Sequence, residues 1–450
     1  MFKKLKQFFL GKAINPNQAS IFHQLSLVAF LAWVGLGADG LSSSSYGPEE
    51  LYRALGPQHA HLALYLAIAT ALTVFIIAAS YMQIIKLFPA GGGGYVVASK
   101  FLGPKSGVVS GTALIVDYIL TISLSVAAGV DAIYSFLPPE WIGAKVATEV
   151  MLLILLIWMN MRGLKESIQV LMPIFIAFLV THVILLSAGI FGHADGLPTA
   201  IHATINETQQ TISQIGWVGL IALLLRAYSL GAGTYTGIEA VSNGMTTLRE
   251  PRVQTGHRTM LYMAISLAIT AGGILLSYML WDVRMVPGNT QTLNAVLTQK
   301  VLGHWHLGVW PIGQWLLYLT LISEALLLFV AAQTGFVGGP TVLANMAVDS
   351  WVPHRFGDLS DRLVRTNGIF FMGLTSIVIL LVAKGSVHVM VVLYSINVFI
   401  TFSLSQLGTC LHWWKNRKND KEWLNGFLIN GVGLILTTLI LLVTTVLKFT

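Results

Sequence analysis

The chain has 450 residues, of which 55% are hydrophobic and 10% are charged, and its mean hydropathy is +0.73. Soluble globular domains carry about 25% charged residues, so this composition excludes that class and indicates a membrane protein. The formal net charge of +7 would suit a nucleic-acid-binding protein, but the basic residues follow membrane topology instead, and the single cysteine, Cys410, excludes an internal disulfide.

Eleven apolar runs of roughly 20 residues, the length that crosses a bilayer as a helix, follow one another along the chain. With the N-terminus in the cytoplasm, 19 Lys and Arg residues fall in cytoplasmic segments and six fall outside or at span edges. This positive-inside asymmetry predicts a multi-pass protein of the cell membrane with a cytoplasmic N-terminus. The runs cover residues 22–54, 61–86, 107–137, 142–160, 168–192, 215–246, 259–282, 310–336, 368–383, 387–411 and 426–447.

The first and sixth runs are interrupted by small and polar residues, at Gly35–Pro48 and Ser229–Gly244. Irregular backbone at membrane depth occurs only where protein or a water-filled cavity satisfies its polar groups. Paired broken spans that enter from opposite sides mark the binding site of transporters built from inverted repeats. We therefore predict an all-α membrane protein with five spans repeated in inverted orientation. The predicted units are a cytoplasmic segment 1–21, a first repeat 22–192, a second repeat 215–411 and an extra span 426–447.

Two aspartates lie within apolar runs: Asp39 in the first break and Asp117 in the third run. A charge at the bilayer centre costs about 2.5–3.5 kcal/mol on insertion scales and is functional by default. Asp117, Thr121 and Ser125 are spaced by four residues, which places a carboxylate and two hydroxyls on one helix face. Such oxygens can replace the hydration shell of a cation. The alternatives are a polar helix–helix contact for this stripe and a helix-capping role for Asp39. We favour cation binding for both, with Tyr46 two helical turns after Asp39.

Glu239 directly follows the second break. Burial favours the protonated form of a carboxyl and a nearby cation favours the ionised form, so proton and cation occupancy would influence each other there. A salt bridge to Arg226, thirteen residues earlier, is the structural alternative. Two roles stay open for Glu324, in the eighth run: a hydrogen bond to a neighbouring helix, or proton coupling in place of Glu239.

Three segments resemble the KimA-type potassium transporters, which belong to the KUP group within the amino acid–polyamine–organocation (APC) superfamily: Gly37–Glu50, Asp117–Ser123 and Thr234–Glu239. The resemblance covers nearly the whole chain. It implies a LeuT-type fold and proton-coupled potassium uptake, with potassium as substrate, the proton as coupling ion, and no cofactor or other metal. It also implies a proton-coupling role for Glu239. The implied potassium ligands are Asp39, Tyr46, Asp117, Thr121, Ser125 and Thr236, with Tyr394 nearby.

The same resemblance implies further parts and partners. Members of this group have a twelfth span and a cytoplasmic C-terminal domain, through which dimers form and a cyclic dinucleotide can regulate uptake. Residues 1–450 contain neither, and the sequence leaves open whether the chain is truncated or is a shortened relative of this group. Homodimer formation and cyclic-dinucleotide regulation therefore stay open, whereas the lipid bilayer is expected as surroundings and nucleic acid is not expected as a partner.

Two other functions compete with potassium uptake. An amino-acid permease of the same superfamily holds the substrate carboxylate at a positive half-helix end, where Asp39 would repel it. A cationic substrate such as a polyamine survives that objection. An embedded enzyme is not expected, because no His-Glu-x-x-His, Gly-x-Ser-x-Gly or Walker sequence occurs.

Overall fold

The computed structural model describes residues 26–162, 168–284 and 291–449. The predicted segment 1–21 and the first residues of the first run therefore lie outside the described residues. The described part folds into fifteen α-helices joined by short 3₁₀ turns and loops. In chain order they are α1 (Ala29–Ser42), α2 (Gly47–Leu55), α3 (Ala63–Leu87), α4 (Gly93–Leu102), α5 (Pro104–Tyr134), α6 (Lys145–Met161), α7 (Ile168–Phe191), α8 (Leu197–Leu230), α9 (Ala240–Asn243), α10 (Arg252–Leu280), α11 (Leu293–Leu302), α12 (Ile312–Val348), α13 (Thr366–Val382), α14 (Val387–Lys415) and α15 (Trp423–Phe449).

Nine helical segments of the described chain are long and apolar enough to cross a membrane. Helix α13 is apolar but shorter, and the first run is divided between α1 and α2, so the total of eleven spans and the inverted repeat stay predictions. The predicted spans fit helices, but α10 begins at residue 252 rather than 259 and α12 continues to 348 rather than 336. Both helices run past their apolar runs because a helix does not have to end where the hydrocarbon ends.

The first break separates α1 from α2 by a 3₁₀ turn, Ser43–Ser45, and by Tyr46, whose backbone is not helical (φ −126°, ψ −30°). The Ser42 and Ser44 hydroxyls donate to the carbonyl oxygens of residues 39 and 41 at 2.7 Å, which satisfies carbonyls that an uninterrupted helix would have bonded itself. Pro48 then fits the first turn of α2, where a missing N–H costs nothing. The serines thus stabilise a helix end at this depth.

The second break follows the end of α8. A 3₁₀ turn covers Gly231–Tyr235, Thr236 is extended (φ −72°, ψ 154°) and Gly237 has φ +81°, before the single-turn helix α9. Helix α8 is also kinked at Gly216, where φ is +72°, close to the predicted start of the sixth run at residue 215. The preceding part of α8 therefore belongs to a connection rather than to the span.

Helix α5 lies at the centre of the bundle and packs against α12, α14, α4 and α13. Of its most apolar 18-residue window, 94% is buried, the highest share among the nine segments. Helix α1 packs against α10, α12 and α7, and α2 packs against α8. The carboxylate of Asp117 on α5 is thereby held inside protein and away from lipid.

The two ends of the bundle differ in their polar contacts. At one end Lys86 pairs with Glu422, and the loop after α3 meets the end of α9, since Gly91 lies against Asn243. We call this the Lys86 end. At the other end, called the Arg53 end, ionisable groups that range from buried to exposed join α2, α5, α6 and α14. They are Glu49, Glu50, Arg53, Asp131, Lys145, Glu149 and His388.

Candidate functional site

The two breaks are in direct contact. A Cβ on Gly237 would lie 2.5 Å from the backbone nitrogen of Gly40 and 2.9 Å from the carboxyl carbon of Asp39. The Ser43 hydroxyl donates to the carbonyl oxygen of Thr234 at 2.8 Å. A glycine is required at position 237 for two reasons: its left-handed φ disfavours other residues, and no side chain fits in the space. Close approach of two glycine-rich segments thus brings Asp39 against the second break.

Three carboxylates converge at this contact. Asp39, Asp117 and Glu239 are only 4%, 2% and 3% exposed. Asp117 has Glu239 and Asp39 as its charged neighbours, and Asp39 is the charged neighbour of Glu239. Carboxylates that crowd together in a desolvated place repel one another unless protons or cations neutralise them. Positive charge is therefore favoured at this place.

No basic side chain of the described chain neutralises the three carboxylates. The ion pairs of the described residues include none of them, and Arg226 is exposed, so the alternative of a Glu239–Arg226 salt bridge is excluded. The Gly237 N–H donates to Oε1 of Glu239 at 3.3 Å, whereas Oε2 of Glu239 and Oδ1 of Asp117 have no hydrogen-bond partner. Buried charges in proteins are normally paired or coordinate an ion.

Hydroxyl groups surround the carboxylates. Thr121 donates to the carbonyl oxygen of Asp117 at 3.0 Å and lies 2.7 Å from the Tyr394 hydroxyl, which can then donate to Thr121. The Tyr46 hydroxyl lies 3.5 Å from Oγ1 of Thr236, which itself donates to the Gly233 carbonyl oxygen. The hydroxyl oxygens of these residues keep lone pairs that can coordinate a cation. The set combines anionic and neutral oxygen atoms, as dehydrated cations require.

Tyr394 connects the groups from the far side of the site. It is buried on α14 and has Asp117, Tyr46, Asp39 and Glu239 as electrostatic neighbours. Helices α1, α5, α14 and the second break therefore each supply part of one cluster. We refer to Asp39, Tyr46, Asp117, Thr121, Thr236, Glu239 and Tyr394 together as the carboxylate cluster.

Two residues from the sequence stand apart from this cluster. Ser125 is buried on α5, two helical turns beyond Asp117. Glu324, on α12, accepts a hydrogen bond from Nδ2 of Asn294 on α11 at 3.0 Å, and Asn294 is also bonded by the Tyr278 hydroxyl. Its neighbours are thus polar groups toward the Arg53 end. Of the two roles open for Glu324, the structure contains the hydrogen bond to a neighbouring helix.

Sequence reasoning missed three residues at the cluster. The Thr334 hydroxyl on α12 lies beside the carboxylate of Asp39. Tyr118 accepts a 2.7 Å hydrogen bond from Nδ2 of Asn243 and neighbours Glu239 and Asp117. Tyr81 on α3 neighbours Glu239. Only Tyr118 carried a sequence signal, as the residue after Asp117; the other two are single hydroxyls in apolar runs.

Comparison with known proteins places the chain in a family. The model of a family described as amino acid permease matches residues 25–449. The potassium transporter KimA of Bacillus subtilis (strain 168) is 32% identical over 455 aligned positions, which cover 100% of this chain and 71% of that protein. Both likenesses extend over the complete helical bundle and its two breaks.

Solved structures show the same fold at low sequence identity. A manganese transporter from Eremococcus coleocola aligns with a TM-score of 0.53 at 13% identity, over 97% of this chain and 89% of that one. A Na⁺-coupled sialic acid symporter aligns with a TM-score of 0.50 at 13% identity, over 96% and 90%. Both have the LeuT fold, which confirms the predicted fold class. The chain therefore belongs to the amino acid permease family, as a KimA-type transporter of the APC superfamily.

Proposed function

We propose that this protein takes up potassium across the cell membrane by potassium–proton symport, with alternating access to the carboxylate cluster. The observation that carries the proposal is the convergence of Asp39, Asp117 and Glu239 at the contact of the two breaks, without a basic partner among the described residues. The identity to a potassium transporter supports potassium as the cation. A transporter function also fits the absence of an enzyme-like sequence motif.

The residues divide into two roles in this proposal. Asp39 and Asp117 supply negative charge for a dehydrated potassium ion, and hydroxyls complete its surroundings. Glu239 carries the proton, because it neighbours Asp39 and Asp117 at the second break and its Oε2 has no partner among the described residues and can accept one. Protonation of Glu239 would reduce repulsion within the cluster, so proton and potassium occupancy are linked. The hydroxyls are those of Tyr46, Thr121, Thr236 and Tyr394 in the cluster, and that of Ser125 two turns further along α5.

The orientation follows from the distribution of basic residues. We place the Lys86 end and the N-terminus in the cytoplasm, since the loops at that end carry most of the lysines and arginines. The Arg53 end then faces outside, and potassium enters from there. A rocking movement that opens the cluster first to one end and then to the other would complete transport.

Uptake of rubidium, a tracer for potassium, into proteoliposomes tests the proposal. Wild-type protein is compared with Asp117→Asn and Glu239→Gln, with and without an inward proton gradient. The matched controls are Asp195→Asn and Glu140→Gln, which change exposed residues. We expect uptake that follows the gradient, collapses in Asp117→Asn and loses its gradient dependence in Glu239→Gln.

The same preparation separates the competing substrates. If folded wild-type protein transports a polyamine or an amino acid but no rubidium, potassium uptake is wrong and only the fold remains. If rubidium uptake is unaffected by a proton gradient in wild-type protein, the transporter moves the cation without the proton.

A further inference from the structure

Four buried hydroxyl groups lie together on the Lys86 side of the carboxylate cluster. They belong to Tyr81 on α3, Ser110 on α5, and Thr401 and Ser405 on α14. Each residue is at most 1% exposed, and none of the four hydroxyls has a hydrogen-bond partner. We call them the hydroxyl cluster.

Gly94, near the start of α4, brings the hydroxyl cluster together. A Cβ at this position would lie 3.0 Å from Oγ of Ser405, 3.2 Å from Oγ of Ser110 and 2.6 Å from the Thr401 methyl group. Three side chains from two helices thus converge on one glycine. Tyr81 joins them because its hydroxyl interacts with the Ser405 hydroxyl, although the two groups do not form a complete hydrogen bond.

The helices themselves do not force these hydroxyls to stay without a partner. A helical serine or threonine can donate to the carbonyl oxygen four residues earlier. Ser123, Ser376 and Thr409 do so here, at 2.8–2.9 Å. Ser110, Thr401 and Ser405 do not, although each lies in a helix. A buried hydroxyl without a partner is unfavourable, so four in one place indicate a bound group that both donates and accepts hydrogen bonds.

The hydroxyl cluster lies between Glu239 and solvent. Glu239 is the first electrostatic neighbour of Tyr81, and its Oε2 is itself without a partner. On the other side, the loop before α4 is exposed at Pro89 and Ala90 and half-buried at Gly91 and Gly92. Tyr81 thus lies on the side of Glu239, and the other three hydroxyls lie at Gly94, close to the loop of the Lys86 end.

A cation would not pass by this route. The Asn243 side chain fills the adjacent space, because a Cβ on Gly93 would overlap its Oδ1 at 1.6 Å, and its Nδ2 donates to Tyr118. The Thr401 methyl group closes the space at Gly94 in the same way. None of the four hydroxyl-bearing side chains is charged, and each hydroxyl can both donate and accept a hydrogen bond. This chemistry suits water and a proton that moves along hydrogen bonds.

We propose that the hydroxyl cluster binds ordered water that carries the proton between Glu239 and the Lys86 end. In the release step the O–H bond of the Glu239 carboxyl breaks, a water molecule accepts the proton, and one proton leaves at the loop while the carboxylate remains. The route rests on the proposed proton role of Glu239. The water site itself rests only on the four unpartnered hydroxyls.

The water site is tested by X-ray radiolytic labelling, in which hydroxyl radicals formed from nearby water modify tyrosine rings. Tyr278 is the internal reference, because it is equally buried and its hydroxyl bonds Asn294. We expect strong labelling of Tyr81, reduced in Ser405→Ala and unchanged in Ser376→Ala, whose hydroxyl is already bonded. Labelling of Tyr81 no stronger than that of Tyr278 would overturn the proposal.

The route is tested by measuring proton and rubidium uptake in the same proteoliposomes. We expect Tyr81→Phe and Ser405→Ala to slow proton-coupled uptake about tenfold, since the loss of one relay group raises the barrier, while equilibrium rubidium binding stays unchanged. Tyr134→Phe, at the Arg53 end, is the matched control. Equal loss of rubidium binding would assign the hydroxyls to the cation and reject the route. If wild-type uptake carries no proton, symport and route both fail, and labelling still decides the water site.

Discussion

Gly237 lies against Asp39, so closely that a Cβ on Gly237 would be 2.9 Å from the carboxyl carbon of Asp39. This contact joins the break in the sixth span to the break in the first. It also fixes the position of a buried carboxylate that has no basic partner in the described part of the chain. The contact depends on a left-handed backbone at Gly237, with φ +81°.

Gly237→Ala is expected to abolish uptake and to destabilise the protein. A non-glycine residue in a left-handed conformation costs about 1–3 kcal/mol, and the new methyl group also overlaps Gly40 and Asp39. Gly56→Ala is the matched control, because Gly56 has a similar φ of +73° and no atom near its Cβ position. Thermal unfolding in detergent and rubidium uptake measure both effects. If the two variants have the same unfolding temperature and the same uptake, the contact between the breaks is not needed for transport.

Potassium is expected to stabilise the wild-type protein against heat, and Asp117→Asn to remove that effect. A ligand that binds only the folded state adds about 2.7 kcal/mol at a hundredfold excess over its Kd. Without potassium, Asp117→Asn should unfold at a higher temperature than wild type, because Asp117 is near Glu239 and Asp39. Thermal unfolding in potassium and in choline chloride measures this, with Asp195→Asn as control. Undiminished stabilisation by potassium in Asp117→Asn would place the cation elsewhere.

Lys145→Met is expected to destabilise the protein far more than Lys86→Met. Lys145 pairs with Asp131 and lies 3.7 Å from Glu149, whose side chain is fully buried. Removal of one partner leaves a buried charge uncompensated and costs about 3–5 kcal/mol. The Lys86–Glu422 pair is exposed, at 46% and 66%, and such pairs contribute at most about 1 kcal/mol. Denaturant unfolding of both variants measures the difference, and similar shifts would contradict a structural role of the buried charges.

The sequence predicts the carboxylates of the site because charge is rare and costly at membrane depth. Asp39, Asp117 and Glu239 stand out for that reason, and the glycines next to them reveal the breaks. Thr334 and Tyr81 do not stand out, because single hydroxyls occur throughout apolar helices at little cost. Their role is visible only when four or five helices are brought together.

Contacts across the bundle could not be derived from spacing along one helix. Tyr46 lies near Asp39, but the backbone leaves the helix between them, so the contact of Tyr46 with Thr236 of the other break could not be derived from that spacing. The alternative pair of Glu239 and Arg226 failed for a similar reason, because Arg226 points to the exposed side of α8. The helical periodicity of side chains predicts shared faces only within one helix and not beyond its end.

Glu239→Gln and Glu324→Gln are expected to separate the two candidate coupling carboxyls. A glutamine at 324 keeps an oxygen that accepts the hydrogen bond from Asn294, so uptake should still fall as external pH rises and protons become scarce. A glutamine at 239 cannot bind and release the proton, so uptake should lose its dependence on external pH while rubidium binding remains. Uptake measured from about pH 5 to 8, a range in which a buried carboxyl can titrate, decides between them. The reverse result would move proton coupling from the second break to the contact of α12 with α11.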